Sequence, residues 1–305
     1  MGFAIDSAAM WGASFRTSRL TFSRSEHSER VPPARLWTAR KEEILLRRYD
    51  AAEVYRRTEV ACPYDEIRFD TPAGRAFDRI ERAMVARSMR ATALQTADRL
   101  LAADIGCGTG RFAIQLAGQF GFEVCATDYS ETMLAITGAK VTEAPPRRTI
   151  HLVRGDIFRL PYPEGTFDAL TCIRVLNQIP DKASAIAELV RVTRPGGMVV
   201  FDVINRRSLA RSLGRALGPL CFLRPPTGLD EDKAKDLVSA DEVLDFVGRT
   251  KRAEVRRVRG ALCLSQTVLH AMPATLIAVY TAVDAVVCRT VPRAGTRLYF
   301  ELLVR

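Results

Sequence analysis

A glycine-rich turn constrains the fold of this chain more than any other feature of its sequence. Residues 100–130 read LLAADIGCGTGRFAIQLAGQFGFEVCATDYS, with Gly106, Gly108 and Gly110 between two apolar runs. Glycine adopts positive φ angles and lets the backbone approach a ligand closely. The residues after the turn have helical spacing, and the second apolar run ends at Asp128. This order predicts a strand, a tight turn, a helix and a strand, and therefore an α/β fold with a ligand site at the turn.

The spacing of the three glycines distinguishes between possible ligands. A dinucleotide-binding turn has the pattern G-x-G-x-x-G, but this turn reads G-x-G-x-G, and Arg111 stands where the third dinucleotide glycine would be. Asp104 before the turn would repel a pyrophosphate and attract an ammonium group. Asp128 would accept hydrogen bonds from two ribose hydroxyls, at roughly 1.5–3 kcal/mol each. These features predict S-adenosylmethionine, a cationic nucleoside without phosphate, rather than NAD.

Four segments in the range 100–203 resemble the class I S-adenosylmethionine-dependent methyltransferases. They read DIGCGTG with ATDYSETML, GDIFRLPYPEGTFDALTC, RVLNQIPD and ELVRVTRPGGMVVFDV. They are similar to the small-molecule branch that includes the ubiquinone and menaquinone methyltransferases. The resemblance implies an α/β, Rossmann-like seven-stranded sheet with helices on both faces and a reversed last strand. A Rossmann-like domain that binds another ligand is the alternative.

The resemblance also assigns residues to the cofactor site. It implies that Asp156 accepts a hydrogen bond from the adenine amine and that the Ile157 N–H meets the ring, although Asp156 could instead cap a helix. The predicted cofactor-binding residues are Asp104, Gly106, Cys107, Gly108, Gly110, Asp128, Tyr129, Met133, Asp156, Ile157 and Arg174.

The residues before the first strand are predicted to form two regions. Residues 1–33 have no periodicity and are predicted to be a disordered tail. Residues 34–96 are predicted to be a helical extension, with one helix over 75–94. In similar methyltransferases this segment folds over the cofactor and substrate, which makes Tyr64 and Arg68 candidate lid residues. The alternative is that these helices only pack on the sheet.

The methyltransferase domain, predicted over 97–305, contains two insertions late in the chain. In 205–238, leucines and arginines recur at four-residue spacing, which is typical of a basic helix that lies on an anionic membrane or packs its leucines on the core. The second insertion, 264–292, is long and apolar, but Asp284 interrupts it and disfavours a membrane span. It is expected to cover the substrate cavity or to enter the core. The predicted inward face of its helix comprises Leu276, Val279, Tyr280, Val283 and Val287.

The positive charge of the chain is concentrated in two patches. The formal net charge of the 305 residues is +10, and the stretches 205–224 and 249–259 account for it. Such local patches are not typical of a uniformly basic nucleic-acid-binding protein. The chain also lacks the (N/D)PP(Y/F) motif of DNA amine methyltransferases and the Pro-Cys nucleophile of cytosine-C5 enzymes. Nucleic acid is therefore disfavoured as a partner, and an RNA methyltransferase that uses the arginine patches is kept as an alternative.

The cysteines indicate the compartment rather than a site. The chain has seven cysteines, an odd number, and none has the C-x-x-C spacing of a metal or redox motif. This pattern predicts no disulfide framework and no metal site, and it favours a reducing, cytoplasmic location, with peripheral contact to a membrane as a further possibility.

The predicted reaction needs positioning more than acid–base catalysis. A sulfonium makes its methyl group electrophilic, so alignment for an in-line displacement supplies most of the rate. His270 could reach the site, and Asn177 could face the acceptor or cap its loop, but no catalytic residue is assigned. The predicted function is transfer of a methyl group to a small, apolar or lipid-linked acceptor by O-, N- or C-methylation. A non-catalytic cofactor-binding accessory protein is a second alternative.

Overall fold

The computed structural model describes residues 55–93, 100–212, 237–263, 269 and 272–305. These contain a seven-stranded sheet in the order β3-β2-β1-β4-β5-β7-β6. The strands are β1 (Leu101–Ile105), β2 (Glu123–Asp128), β3 (Ile150–Arg154), β4 (Phe167–Cys172), β5 (Thr193–Ile204), β6 (Ala253–Ala261) and β7 (Arg297–Val304). Strands β1 to β5 are parallel, whereas β7 runs antiparallel to both of its neighbours. The predicted sheet with a reversed last strand is confirmed.

Helices cover both faces of the sheet, because the central parallel strands are apolar on both sides. The helices are α1 (Thr58–Ala61), α2 (Tyr64–Phe69), α3 (Pro72–Ala93), α4 (Arg111–Gln115, continued by a π-turn), α5 (Glu131–Glu143), α6 (Lys182–Val192), α7 (Ala240–Thr250) and α8 (Ala274–Thr290). One core contains Phe77 of α3, Phe112 of α4 and Tyr280 of α8. The other contains Ile186 of α6 and Val243 of α7.

Helix α3 begins earlier than its apolar pattern indicates. The prediction was a helix over 75–94, and α3 starts at Pro72. Proline suits the first position of a helix, since its missing N–H would have no partner there. The Thr71 hydroxyl accepts the Gly74 N–H at 3.0 Å and so caps the helix. The predicted disordered tail and the first part of the predicted extension lie outside the described residues.

The first insertion leaves and rejoins the sheet at one point. Asn205 forms a β-bridge with Val238, and its side-chain amide donates to the carbonyls of Arg293 and Gly295 at 2.8 and 2.9 Å. Residues 213–236, which hold most of the predicted basic helix, lie outside the described residues.

The second insertion forms α8, and its predicted inward face is wrong at three of five positions, since only Tyr280 and Val287 pack against the core. The side chains of Leu276, Val279 and Val283 are 53%, 61% and 51% exposed. The buried positions of the helix are Ile277, Tyr280, Asp284 and Cys288. No helix among the described residues is long and apolar enough to cross a membrane.

A buried carboxylate determines which face of α8 is turned inward. Asp284 is 2% exposed and accepts the backbone N–H groups of Leu262 and Cys263 at 3.0 and 2.5 Å. The Tyr280 hydroxyl also donates to it, at 3.1 Å. Because a buried carboxylate must be hydrogen-bonded, these contacts fix the rotation of the helix and leave Val279, Val283 and Val286 on the outside.

Candidate cofactor-binding site

The glycine turn follows β1, and its three positions are occupied by glycine for different structural reasons. Their φ angles are 69°, 56° and 80° in chain order. A Cβ atom at Gly106 would lie 2.2 Å from Val175 Cγ2, and one at Gly110 would lie 2.7 Å from Thr137 Cγ2. A Cβ at Gly108 would meet no atom within 4 Å. Packing therefore requires the outer two glycines, while Gly108 presents bare backbone to open space, where a ligand can approach.

Asp128 ends β2 beside this open backbone. Its Oδ2 accepts the Gly108 N–H at 2.8 Å, and its Oδ1 accepts the Ser130 N–H at 2.9 Å. Burial raises the pKa of this carboxyl, and these N–H groups oppose the shift. A carboxylate has about four acceptor positions, so two remain for other donors. Contact of this carboxylate with the two hydroxyls of a ribose stays a prediction.

Asp104 is placed differently from the expectation that it attracts an ammonium group. It is 1% exposed, and its two oxygens accept the Ala113 N–H at 2.9 Å and the Thr171 hydroxyl at 2.8 Å. The first contact satisfies an otherwise unpaired donor at the start of α4. Because both oxygens face donors inside the fold, we infer that Asp104 shapes the turn rather than touching the ligand.

Asp104 is expected to make the folded protein less stable as the pH rises. Burial raises the pKa of this carboxyl from 3.8 to about 6. Between these values the folded state keeps a proton that the unfolded chain has released, so the free energy of unfolding falls with pH by up to ~1.4 kcal/mol per pH unit. This favourable contribution is complete below 3.8 and is lost above about 6.

Asp104→Asn tests this dependence, because an amide can accept from Ala113 and donate to Thr171 without titrating. Urea unfolding between pH 4 and 7 should give a flatter profile for the variant than for the wild type. The exposed Asp181→Asn is the control and should follow the wild type. Parallel wild-type and Asp104→Asn profiles would contradict the expectation.

The other predicted cofactor residues lie at the carboxyl ends of β1, β2 and β3 or in the helix that follows. Cys107 and Met133 are buried, and burial raises the pKa of the Cys107 thiol. Tyr129 is exposed, and Ile157 is half-buried. The Asp156 carboxylate accepts a backbone N–H two residues later, at 3.0 Å, and so stabilises the turn after β3. The structure therefore brings these residues to one edge of the sheet, and their contacts with a cofactor stay predictions.

The segment before α3 contacts the glycine turn directly. The Thr109 hydroxyl donates to Asp65 at 2.7 Å, and Lys140 pairs with the same carboxylate. The Ser130 hydroxyl donates to the backbone carbonyl of Tyr55 at 2.7 Å. These contacts fasten residues 55–65 to the loops that follow β1 and β2, and the role of this segment as a lid stays a prediction.

Aromatic rings continue from this segment toward α3. The Tyr55 and Tyr64 rings meet edge-on with centroids 5.8 Å apart, and Tyr64 meets Phe69 at 6.3 Å. The Arg68 guanidinium lies 5.5 Å from the Tyr64 ring centroid. The two predicted lid residues thus lie together, Tyr55 extends the same half-buried aromatic surface, and Phe69 connects it to the core.

Arg174, the last predicted residue, is turned toward α3. It is 5% exposed, and its guanidinium lies 4.8 Å from the Phe77 ring centroid and 3.6 Å from Glu81. Burial and the nearby Arg68 lower its pKa to about 10. Its backbone N–H donates to Asp202 at 2.5 Å. Sequence reasoning missed Glu81 and Asp202, and the available signal was a carboxylate inside the apolar strand MVVFDV.

The candidate proton-transfer groups do not form a catalytic pair among the described residues. His270 lies outside those residues. His151 pairs with Glu123 at 2.7 Å near the amino ends of β2 and β3. The Asn177 Oδ1 is buried without a hydrogen-bond partner in the described chain, and its role toward an acceptor stays a prediction.

Comparison with known proteins places this geometry in context. Residues 103–201 match the family model described as a methyltransferase domain. The demethylmenaquinone methyltransferase of Geobacillus kaustophilus is 39% identical over 176 residues, which are 56% of this chain and 74% of that protein. The ubiquinone biosynthesis O-methyltransferase of Thiobacillus denitrificans is 35% identical over 105 residues, 34% of this chain and 44% of that protein. Several further demethylmenaquinone methyltransferases also match over less than half of their own length.

A solved structure shares the fold. The magnesium protoporphyrin IX methyltransferase of Synechocystis PCC 6803 superimposes with a TM-score of 0.57 and 17% identity, over 84% of this chain and 98% of that chain. The fold is therefore one that methyltransferases use, although a fold alone does not determine a substrate.

Proposed function

Because the chain belongs to the class I S-adenosylmethionine-dependent methyltransferases, in the branch that contains demethylmenaquinone methyltransferases, we propose that it methylates a quinone-type small molecule. The observation that carries the use of S-adenosylmethionine is the open backbone of Gly108 beside Asp128, whose carboxylate keeps acceptor positions for a ligand. When bound, S-adenosylmethionine supplies an electrophilic methyl group on a sulfonium. Asp128 holds the ribose hydroxyls, Gly108 allows close approach, and Asp156 with Ile157 meets the adenine edge.

The aromatic surface supports a planar acceptor. Tyr55, Tyr64 and Phe69 form consecutive edge-on ring contacts next to the cofactor loops. Such rings suit an aromatic ligand, with which they form edge-to-face or offset contacts. The relatives named for demethylmenaquinone and ubiquinone biosynthesis point to the same chemical class. The two names do not agree on the atom that receives the methyl group. The Thiobacillus protein is named an O-methyltransferase, whereas the name of the Geobacillus protein gives no atom.

The exposed face of α8 supports an acceptor held in a membrane. Leu276, Val279, Val283 and Val286 are each at least 51% exposed, and the charged side chain among positions 273–288, Asp284, is buried. Arg289 follows on the exposed side. An apolar helical face with a basic residue at its end suits the boundary of an anionic lipid surface. We therefore extend the proposal to a lipid-linked acceptor reached by peripheral membrane contact, and the cytoplasmic location stays a prediction.

Three described arginines of the two basic patches are already paired with carboxylates, which does not favour an RNA substrate. Arg207 pairs with Asp241 at 3.1 Å, and Arg259 pairs with Glu301 at 2.6 Å. Arg249 likewise has an acidic partner on α7. Charges that are already paired within the protein contribute less to the long-range attraction on which nucleic-acid binding depends.

A labelling experiment tests the catalytic proposal. The protein is titrated with S-adenosylmethionine, NAD and ATP, and then incubated with methyl-labelled cofactor and chemically reduced demethylmenaquinone. We expect binding of S-adenosylmethionine alone and label in the quinol. Binding without transfer to the quinol or to any component of a cell extract would favour the accessory-protein alternative. Label in RNA would favour the nucleic-acid alternative.

Vesicle sedimentation tests the membrane contact. The double change Val279→Glu and Val283→Glu should reduce binding to phosphatidylglycerol-containing vesicles by about tenfold or more. Each change places a charge where an exposed valine would be buried by the lipid. Leu244→Glu on α7, where the leucine is also exposed, is the matched control and should bind as the wild type. Unchanged vesicle binding of the double variant would contradict the membrane contact. A wild-type protein that is dimeric, with a double variant that is monomeric, would also contradict it, because the exposed face of α8 would then be a dimer interface.

A further inference from the structure

Two arginines beside the acceptor side of the site have buried nitrogens without partners. The Arg174 Nη1 and Nη2 atoms and the Arg68 Nε atom are buried and lack hydrogen bonds within the described chain. Arg174 is more than nine-tenths buried. Buried polar groups in proteins are nearly always hydrogen-bonded, and a charged donor without a partner is costly. A buried guanidinium that makes no hydrogen bond at this position therefore needs a functional reason.

The nearest carboxylate forms an ion pair with Arg174 but accepts no hydrogen bond from it. Glu81 accepts a hydrogen bond from Arg111 at 3.0 Å and lies 3.6 Å from Arg174. The Tyr299 hydroxyl donates to the other oxygen of Glu81 at 3.4 Å. One carboxylate is thus shared by two guanidinium groups, and Arg68 adds a further positive charge close by, which helps to lower the pKa of Arg174.

The backbone of Arg174 is held in a strained conformation that aims its side chain. Its φ angle is 68°, a left-handed conformation that residues other than glycine rarely adopt. Asp202 accepts its N–H at 2.5 Å, and the Gln178 amide donates to its carbonyl at 2.6 Å. Asp202 also pairs with Arg297 and so is not available to the guanidinium. Strain that the surroundings maintain in this way is characteristic of functional positions.

The arginines lie next to the cofactor turn. Val175, the residue after Arg174, is in contact distance of the position that a Cβ of Gly106 would take. Tyr55 lies within electrostatic range of both sides of the site. Burial and Tyr64 raise the pKa of its phenol, Arg68 and Arg174 lower it, and Asp128 raises it. Tyr55 therefore interacts electrostatically with both the proposed ribose acceptor and the two arginines.

We propose that Arg174 and Arg68 bind an anionic oxygen group, a carboxylate or a phosphate, carried by the methyl acceptor, so that a quinol-type acceptor with such a group binds more tightly than a neutral quinol, which is still methylated. A guanidinium presents a planar fork of donors that matches either group. The inference rests on the proposed function, since it assigns the acceptor of that same site. The aromatic surface would hold the ring, and the arginines would hold the acid group.

Calorimetric titration with small probes tests the assignment. Full-length protein, with and without S-adenosylhomocysteine, is titrated with 3,4-dihydroxybenzoate, with catechol as its neutral counterpart, and with inorganic phosphate. We expect the benzoate or phosphate to bind about 10- to 100-fold more tightly than catechol, the range of a charge-assisted bidentate pair. The stronger of the two anions identifies the source of the group.

Matched variants locate the anion. Arg174→Met should abolish the preference for the anionic probe, Arg174→Lys should retain part of it, and Arg68→Met should reduce it. Arg249→Met, which removes an exposed arginine, should leave it unchanged. If Arg174→Met does not fold, Arg68→Met at the less buried edge of the pair carries the test.

Two results would overturn the assignment. One is equal affinity of the wild type for catechol and both anions, and the other is a preference that survives both Arg174→Met and Arg68→Met. Titration of S-adenosylhomocysteine into the same samples separates this failure from that of the proposed function. Cofactor binding without an anion preference contradicts only the acceptor assignment, whereas an anion preference without cofactor binding contradicts only methyl transfer.

Discussion

Replacing Asp128 by alanine is expected to weaken binding of S-adenosylmethionine by about 10²- to 10⁴-fold, because two charge-assisted bonds to the ribose are lost at roughly 1.5–3 kcal/mol each. The substitution also removes the acceptor for the Gly108 and Ser130 N–H groups, which shape the turn. Isothermal titration measures the change. Asp128→Asn keeps a carbonyl acceptor and should bind with intermediate affinity.

The control for this prediction is an exposed aspartate with a similar local role. Asp181 caps α6 by accepting the Ser184 N–H at 3.0 Å, and it lies at the surface. Asp181→Ala should leave cofactor affinity unchanged. An Asp128→Ala protein that is folded and binds S-adenosylmethionine as tightly as the wild type would falsify the proposed cofactor site.

Replacing Asp202 by alanine is expected to lower the free energy of unfolding by about 3–5 kcal/mol, the usual cost of removing one partner of a buried ion pair. Asp202 and Arg297 are 0% and 6% exposed, so the arginine would be left as an uncompensated buried charge. The Arg174 N–H would also lose its acceptor. Urea denaturation monitored by circular dichroism measures the effect.

Two comparisons make the stability prediction specific. Asp245→Ala breaks the exposed pair with Arg249 and should cost about 1 kcal/mol or less. Asp202→Leu combined with Arg297→Met removes both charges and should cost less than Asp202→Ala alone, because no buried charge remains unpaired. A cost below about 1 kcal/mol for Asp202→Ala would show that the pair does not support the sheet.

The first strands and the glycine turn could be predicted because their causes are local, whereas the seven-stranded sheet with its reversed last strand was predicted from the resemblance to a family. A parallel strand buried on both faces leaves an apolar run, as in β1 and β4, and a positive φ angle leaves a glycine, as at Gly106 and Gly110. The face of α8 could not be predicted in the same way. The orientation of this helix is set by Asp284, whose hydrogen-bond partners Leu262 and Cys263 precede the helix. An apolar pattern does not identify a carboxylate as the inward residue.

The arginine site could not be predicted from the sequence because it depends on distant residues. The conformation of Arg174 is held by Asp202, 28 residues later, and Asp202 is in turn paired with Arg297, a further 95 residues on. Resemblance to a family pointed to Arg174 as a cofactor residue, but the direction of its guanidinium follows from Phe77 and Glu81 on α3. Such an arrangement leaves no local motif.

The contact between Gly106 and Val175 limits how this protein can diversify. The two residues pack so closely that an added Cβ would lie 2.2 Å from a valine methyl group. A larger side chain at position 175 would displace the turn. A substitution there that favours a new substrate would therefore weaken binding of the cofactor. Residues 55–69 and α8 can be substituted without moving the turn. Paralogues that use other acceptors should therefore differ first at these residues.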